Sequence, residues 1–220
     1  MHAVGIVAAA GSGLRLGADR PKALVPLGGR PLVAWAVATL LDGGVDEVVV
    51  AVPAEERDAF AAALPAGSRL VDGGATRTAS VRAALAAVDP AATAVLVHDA
   101  ARPLTPPDVV ARVLAALAAG APAVVPVLPV VDTTVVVDDA GVVAAAPDRA
   151  TLRRVQTPQG FDRATLAAAY DRLPAGAELT DDAAVVRAAG VPVGTVAGDE
   201  RCAKVTVAHD LALAELQVAR

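Results

Sequence analysis

Cysteine is nearly absent from this 220-residue chain. Cys202 stands alone, which excludes an intrachain disulfide framework and any zinc or iron–sulfur centre that needs several thiolates. Histidine is almost as scarce: His2, His98 and His209 are scattered, so no HExxH pair or similar metal motif can form from neighbouring residues. Aromatic residues make up 2% of the chain, too few to stack successive bases of a nucleic-acid strand. Nineteen basic residues face 24 acidic ones, a formal net charge of -5. General nucleic-acid binding and a basic membrane-surface helix both need the opposite balance. No uninterrupted apolar run reaches the roughly 20 residues that span a bilayer. The opening MHAVGIVAAAGSG has no basic leader, and the glycines behind it suit a strand entering a loop rather than a signal segment. A soluble, cytoplasmic protein without nucleic-acid or membrane partners is expected.

What the chain has is alanine and valine, within a hydrophobic fraction of 55%. The valine-rich runs at 3–9, 47–52, 94–97, 123–127 and 191–196 are short and continuously apolar, the pattern of strands buried on both faces of a parallel sheet. Alanine-rich stretches at 31–41, 54–64, 76–88, 106–119, 163–173, 181–189 and 207–219 alternate with them and read as helices. Thr105 before Pro106-Pro107, and Thr180 before Asp181-Asp182, look like helix starts. Strand–helix alternation of this kind predicts an α/β fold: a doubly wound, mostly parallel, Rossmann-like sheet with helices on both faces. One stretch breaks the rhythm. Between about 129 and 155 no helix is expected, and valine-rich segments at 133–137 and 142–146 flank Asp138-Asp139-Ala140-Gly141, a hairpin signal. An exposed valine hairpin is an aggregation liability unless something covers it. It is either packed on its own domain or an arm that pairs with a second subunit. A single domain over 1–220 with an embedded β-arm is expected.

The loop after the first strand reads Ala8-Ala9-Ala10-Gly11-Ser12-Gly13-Leu14-Arg15-Leu16-Gly17, followed by Pro21-Lys22. Such a loop lies at the carboxyl edge of the sheet, where ligands bind, and its glycines let backbone N–H groups approach phosphate oxygens. It lacks the Gly-Lys-Ser/Thr of a Walker A loop. The third glycine comes one residue late for a dinucleotide fingerprint, and the second strand ends in Pro53 rather than a ribose-binding acid. Gly-Ser-Gly is not a nucleophile elbow. A phosphate cradle with two cations, Arg15 and Lys22, remains, against the plainer alternative of a surface turn. Lysine usage bears on this choice. Only Lys22 and Lys204 among the nineteen basic residues are lysines; a compact ammonium acts on phosphate as a point charge, which a planar guanidinium does not replace.

Ala9-Ala10-Gly11-x-Gly13-x-Arg15-x-Gly17 with Pro21-Lys22 resembles the opening motif of sugar-phosphate nucleotidyltransferases and, within them, the CTP-dependent 2-C-methyl-D-erythritol 4-phosphate cytidylyltransferase family. Further matching motifs follow in order: Gly73-Gly74-x-x-Arg77-x-x-Ser80-Val81, His98-Asp99-Ala100-Ala101-Arg102-Pro103, Asp132-Thr133, Gln156-Thr157-Pro158-Gln159-x-Phe161, Thr180-Asp181-Asp182-Ala183 and Lys204-Val205-Thr206. The resemblance implies a homodimer that uses Mg2+ and transfers a cytidylyl group to a sugar-alcohol phosphate.

It also implies roles. Ala9, Ala10, Gly11 and Gly13 bind the CTP triphosphate through backbone groups, and Arg15 and Lys22 neutralise charge on the attacked phosphorus. Gly74, Ala75, Ser80 and Ala100 lie on the nucleotide side. Asp99 orients substrate hydroxyls or helps place Mg2+, with Arg102 beside it. The plainer reading has Asp99 capping a turn and pairing with Arg102. Arg149 and Thr157 contact the acceptor from the neighbouring subunit, Thr180 joins them, and Lys204 positions the acceptor phosphate against the nucleotide. His98 reads as structural, and Arg153 and Arg154 as solvated surface residues. Two departures from the family pattern stand out: Thr134-Val135-Val136 after Asp132-Thr133, and Cys202-Ala203 before Lys204. No nucleophile–base pair emerges, and none is required, since a phosphate monoester with a second pKa of about 6 is its own nucleophile. Ribitol 5-phosphate is an alternative acceptor. A non-catalytic binding protein on the same fold is an alternative of another class, and an NAD-dependent dehydrogenase is disfavoured by the glycine spacing.

Overall fold

The computed structural model describes residues 1–11, 20–65, 68–174 and 176–219. In chain order these form β1 (Ala3–Ala8), β2 (Pro26–Leu27), β3 (Arg30–Pro31), α1 (Leu32–Asp42), β4 (Glu47–Val52), α2 (Arg57–Ala63), β5 (Arg69–Asp72), α3 (Arg77–Ala86), β6 (Ala94–Asp99) and α4 (Pro107–Ala118). The remainder is β7 (Ala123–Pro129), β8 (Val136–Val137), β9 (Val143–Ala145), β10 (Arg153–Val155), β11 (Gln159–Asp162), α5 (Arg163–Arg172), α6 (Asp182–Ala188), β12 (Gly194–Ala197) and α7 (Ala208–Val218).

β6, β1, β4 and β5 run parallel in that order. β11 lies antiparallel between β6 and β7, while β10 pairs β7 antiparallel and β12 pairs it parallel. The sheet is mostly parallel, as expected, with a reversed strand set into it. The alternation of side chains along each strand supplies two cores. Val7, Val50, Val52 and Leu96 face α1, α2 and α4 through Val37, Leu40, Phe60 and Val113. Ile6, Val49, Val97 and Phe161 face α3, α5 and α6 through Val81, Leu166 and Val186. Both faces are covered, which is why the valine runs are unbroken. Removing a side chain such as Phe161 would leave a cavity costing about 3–5 kcal/mol.

Both expected helix starts hold, α4 beginning at Pro107 and α6 at Asp182, but neither threonine caps its helix. The Thr105 hydroxyl bonds the Arg102 carbonyl rather than capping α4, because Pro106-Pro107 leaves few N–H groups there to cap. Asp181, not Thr180, caps α6 by accepting from the Ala184 N–H at 2.8 Å.

The order of β1 relative to β6 and β4 makes the position between β1 and β6 a topological switch point, where crossovers leave in opposite directions and open a crevice at the strands' carboxyl ends. Register puts Ala8 opposite Asp99 there. The β8–β9 hairpin lies outside the main sheet. It is shorter than expected, with Gly141 in the left-handed region (φ 78°) at its turn, a conformation that glycine adopts without strain. Arg149–Thr151 forms a 3-10 turn behind it.

Candidate active site

The crevice at the switch point holds a cavity of about 550 Å³. Three loops wall it, each leaving the carboxyl end of a parallel strand. The first leaves β1: the Ala9 N–H donates to the Ala51 carbonyl at 2.9 Å, and Ala9, Ala10 and Gly11 line the wall. Gly13 and Arg15 lie outside the described residues. The chain returns at the 3-10 turn Lys22–Leu24, which brings Lys22 to the same wall.

The second loop follows β5 and contributes Gly74 and Ala75. A Cβ at Gly73 would meet that of Ala10 at 2.5 Å, and one at Gly74 would collide with Ala79. The two glycines let this loop close against the first. The Ser80 hydroxyl accepts the Gly74 N–H at 3.1 Å and donates to the Thr76 carbonyl at 2.8 Å. Its hydrogen bonds hold the shape of the loop.

The third loop follows β6 and brings Asp99 and Ala100. Lys204 enters from the segment ahead of α7, held by the Val205 N–H on the Ala101 carbonyl at 2.8 Å. Asp99 is the electrostatic centre. Arg77 donates Nε to its Oδ1 at 3.2 Å, Lys204 donates Nζ to Oδ2 at 2.8 Å, and Arg102 Nε stands at 3.8 Å. Burial alone would push the Asp99 carboxyl up. Arg77, then Lys204 and Arg102, outweigh that and hold it well below the usual carboxylate range. The plainer reading of Asp99 as paired with Arg102 holds at 3.8 Å, but Arg77 and Lys204 are the closer cations. Arg102 itself donates Nη1 to the Cys202 carbonyl at 2.7 Å.

With Arg77 and Lys204 on its two oxygens, the Asp99 carboxylate could serve Mg2+ only once Lys204 has turned to the phosphates, since these cations repel a divalent ion. Among the described residues no group of three or more His, Cys, Asp or Glu could hold a metal.

His98 is structural, as expected. It is fully buried, and burial lowers its pKa to about 4 against the pull of Asp99, so the ring is neutral at pH 7. Nε2 then donates to the Arg102 carbonyl at 3.3 Å, and Nδ1 accepts from the Thr157 hydroxyl at 2.9 Å. That hydroxyl in turn accepts the Asp99 N–H at 3.1 Å. Thr157 is thus buried beneath Asp99 in its own chain, away from the arm with which the sequence grouped it. Its single hydroxyl proton is spent on His98. Arg149 and Thr180 are exposed and do not line the cavity; Arg149 donates to the Val131 carbonyl at 2.8 Å, across the base of the arm. Arg154 is exposed and pairs with Glu200.

Sequence reasoning gave no role to Arg77, Asp182, Tyr170 or the Gln159–Asp181 pair (2.9 Å). Arg77 and Asp182 stood inside matched motifs, but nothing local links two residues that lie far apart in the chain.

A switch-point crevice with a glycine-bearing loop on one lip, two lysines on its walls and no acid–base couple among the described residues suits an α/β protein that handles a phosphorylated nucleotide by charge and alignment. The family model for 2-C-methyl-D-erythritol 4-phosphate cytidylyltransferase (IspD) matches residues 3–220. The chain belongs to this family. It is 55% identical over 215 residues to the enzyme of that name from Nocardia farcinica, covering 96% of this chain and 92% of that one. It is 52% identical to the one from Saccharopolyspora erythraea, with both covered completely. The crystal structure of the Thermus thermophilus enzyme superposes with a TM-score of 0.83 at 39% identity, again covering both chains completely.

Proposed function

We infer that the chain is a CTP-dependent cytidylyltransferase that makes 4-diphosphocytidyl-2-C-methyl-D-erythritol from CTP and 2-C-methyl-D-erythritol 4-phosphate in the non-mevalonate route to isoprenoid precursors, releasing pyrophosphate. The observation that carries this reading is the family match along residues 3–220, and the lysine-walled cavity at the switch point supplies the chemistry. An oxygen of the acceptor phosphate forms a bond to the α-phosphorus, and the bond from that phosphorus to the bridging oxygen breaks. No proton transfer is needed, because the nucleophile is largely dianionic at neutral pH.

The protein's task is to align two anions and neutralise the charge that builds between them. Lys22 and Lys204 supply cations at the cavity wall, joined by Arg15. Ala9, Ala10, Gly11 and Gly13 offer backbone groups to the triphosphate. Gly74, Ala75 and Ala100 frame the base in a pocket whose depth the Ser80 hydroxyl maintains. Mg2+, when bound with the nucleotide, would be held mainly through the CTP phosphates, with Asp99 as the carboxylate that could assist, and would supply further neutralising charge.

On the acceptor side, Asp99 accepts substrate hydroxyls, with Arg102 and the Thr157 hydroxyl keeping its loop in place. Thr180 and Arg149 complete this half from the outside. Support for a partner's arm doing so comes from Val131, Val136, Val137, Val142 and Val143, which are 52–70% exposed. A cluster of this kind needs cover. The working unit is thus a homodimer of single-domain subunits, each lending its arm to the other. We place it in the cytoplasm; no helix among the described residues is long and apolar enough to cross a membrane.

The test is pyrophosphate release with CTP and Mg2+, with methylerythritol 4-phosphate and ribitol 5-phosphate as rival acceptors. Turnover with the first alone is expected. Turnover with the second alone would keep the mechanism and replace the substrate. Binding of CTP without turnover on either would convert the chain to a binding protein.

A further inference from the structure

Asp182, the first residue of α6, is fully buried and takes no part in the chemistry above. One of its oxygens accepts the Tyr170 hydroxyl at 2.6 Å, and the other accepts Nη2 of Arg77 at 2.7 Å. Among the described residues, Arg77 is the only cation within ion-pair distance of it. A carboxylate removed from water is strongly destabilising without such a partner, so this guanidinium is anchored. Its other edge faces the cavity, where Nε meets Oδ1 of Asp99. The two carboxylates belong to strand β6 and helix α6, and a planar guanidinium bridges them with two differently directed N–H groups. A lysine ammonium cannot reproduce that fork.

Lys204 contrasts with it. Its side chain is 41% exposed, and among the described residues its side-chain ion-pair partner is Oδ2 of Asp99. An ammonium with three N–H donors that is drawn toward a phosphate shares or leaves that contact. Arg102 Nε stays at 3.8 Å from Oδ2, an ion pair without a hydrogen bond, while its Nη1 is committed to the Cys202 carbonyl, so it steers the carboxylate less firmly than Arg77. The carboxylate would then lose its nearer cation while still nearly buried.

We propose that Arg77, anchored by Asp182 and Tyr170, is a positioning residue of the transfer reaction, holding the Asp99 carboxylate in place while Lys204 leaves it for the phosphates. The proposal rests on the reading that Asp99 aligns the acceptor. It makes Asp99 a fixed acceptor of hydroxyl protons and Lys204 the mobile partner. The hydrogen-bonded chain Tyr170–Asp182–Arg77–Asp99 then ties the packing of α5 and α6 to the acceptor half of the cavity.

Steady-state kinetics on Asp99→Asn, Arg77→Lys and Tyr170→Phe, each paired with a thermal melt and a CTP titration, tests it. Arg77→Lys should lower kcat/KM for the acceptor by about tenfold or more, the usual scale for losing one hydrogen bond between charged groups. KM for CTP should stay within about threefold. Tyr170→Phe keeps every charge and loosens only the anchor, so it should show the same acceptor-selective loss at a smaller size. Unchanged acceptor kinetics in Arg77→Lys would overturn the proposal, as would losses equal for both substrates that track a fall in Tm. If Arg77→Lys does not fold, Tyr170→Phe decides alone: an acceptor-selective loss supports the proposal and wild-type kinetics overturn it. A harmless Asp99→Asn would sink the reading of Asp99 and the role of Arg77 together, whereas a costly Asp99→Asn beside an acceptor-neutral Arg77 variant would remove only the latter.

Discussion

The nucleotide end of this molecule and its arm are built on opposite principles. At the nucleotide end every wall comes from one chain. The loops behind β1, β5 and β6 converge on one cavity, and backbone hydrogen bonds and a serine hydroxyl fix their shapes. The arm has its own two-strand hairpin outside the main sheet and exposes its valines. Arg149, assigned to the acceptor from the sequence, is absent from the cavity lining. The triphosphate half demands fixed backbone geometry, which a sheet edge supplies. On the proposed reading the acceptor half is left to the arm, whose exposed valines call for a partner, and assembly and activity would then be linked.

The largest expected effect would come from removing the arm. Deleting residues 133–146 should give monomers in sedimentation and abolish pyrophosphate release while CTP binding survives. A deletion variant that stays dimeric, or stays active, would break the comparison at its base. Next comes Lys22→Ala, which should lower turnover on the order of 100-fold or more, the usual result of losing one preorganised charge contact. Its melting temperature should stay near that of the wild type, because a side chain on the cavity wall supports no core. Near-normal turnover would remove Lys22 from the chemistry.

The smallest effect tests whether the floor of the nucleotide end is as rigid as its contacts imply. The folded state holds His98 neutral down to about pH 4, whereas an unfolded chain protonates it near 6.5. Between those values the unfolded state binds the extra proton, so stability should fall as pH falls, by up to about 3 kcal/mol. Asp99 acts in a lower window, since its stabilisation is complete above the ordinary carboxylate pKa and is lost only as pH falls through its depressed value. Urea midpoints from pH 7 to 4 should show the decline, and His98→Asn should flatten it. A wild-type profile flat across that window would mean the ring is not buried neutral.

The sequence made the two regions legible to different degrees. The parallel strands other than β5, and all seven α-helices of the described residues, could be read because burial on both faces forces continuous valine runs, and alanine-rich segments lie between them. Strand β5 escaped notice because Arg69-Leu70-Val71-Asp72 carries charge at both ends. β11 was missed because its Gln159 and Gly160 interrupt the apolar signal. Its antiparallel insertion depends on pairing with strands far away in the chain. The cavity residues were recognisable from motifs, since backbone approach to phosphate demands glycine and small residues at set places. The resemblance set Thr157 with Arg149 on the acceptor side, whereas in its own chain the Thr157 hydroxyl serves His98 and the Asp99 N–H, contacts that no local pattern announces. The Arg77–Asp182 bridge had no local signature at all, since each residue alone reads as an ordinary first-turn helix charge.

We propose that each cavity is completed by the other subunit's arm. The decisive measurement is to mix two separately inactive proteins, Lys22→Ala and Arg149→Ala. If Arg149 acts across the dimer, each mixed dimer holds one site with both residues intact. After subunit exchange, activity should then return to about a quarter of the wild-type value, as expected for random pairing in a twofold-symmetric dimer. If the mixture stays as inactive as its parts once exchange is shown to be complete, Arg149 serves its own chain, and the shared site is contradicted.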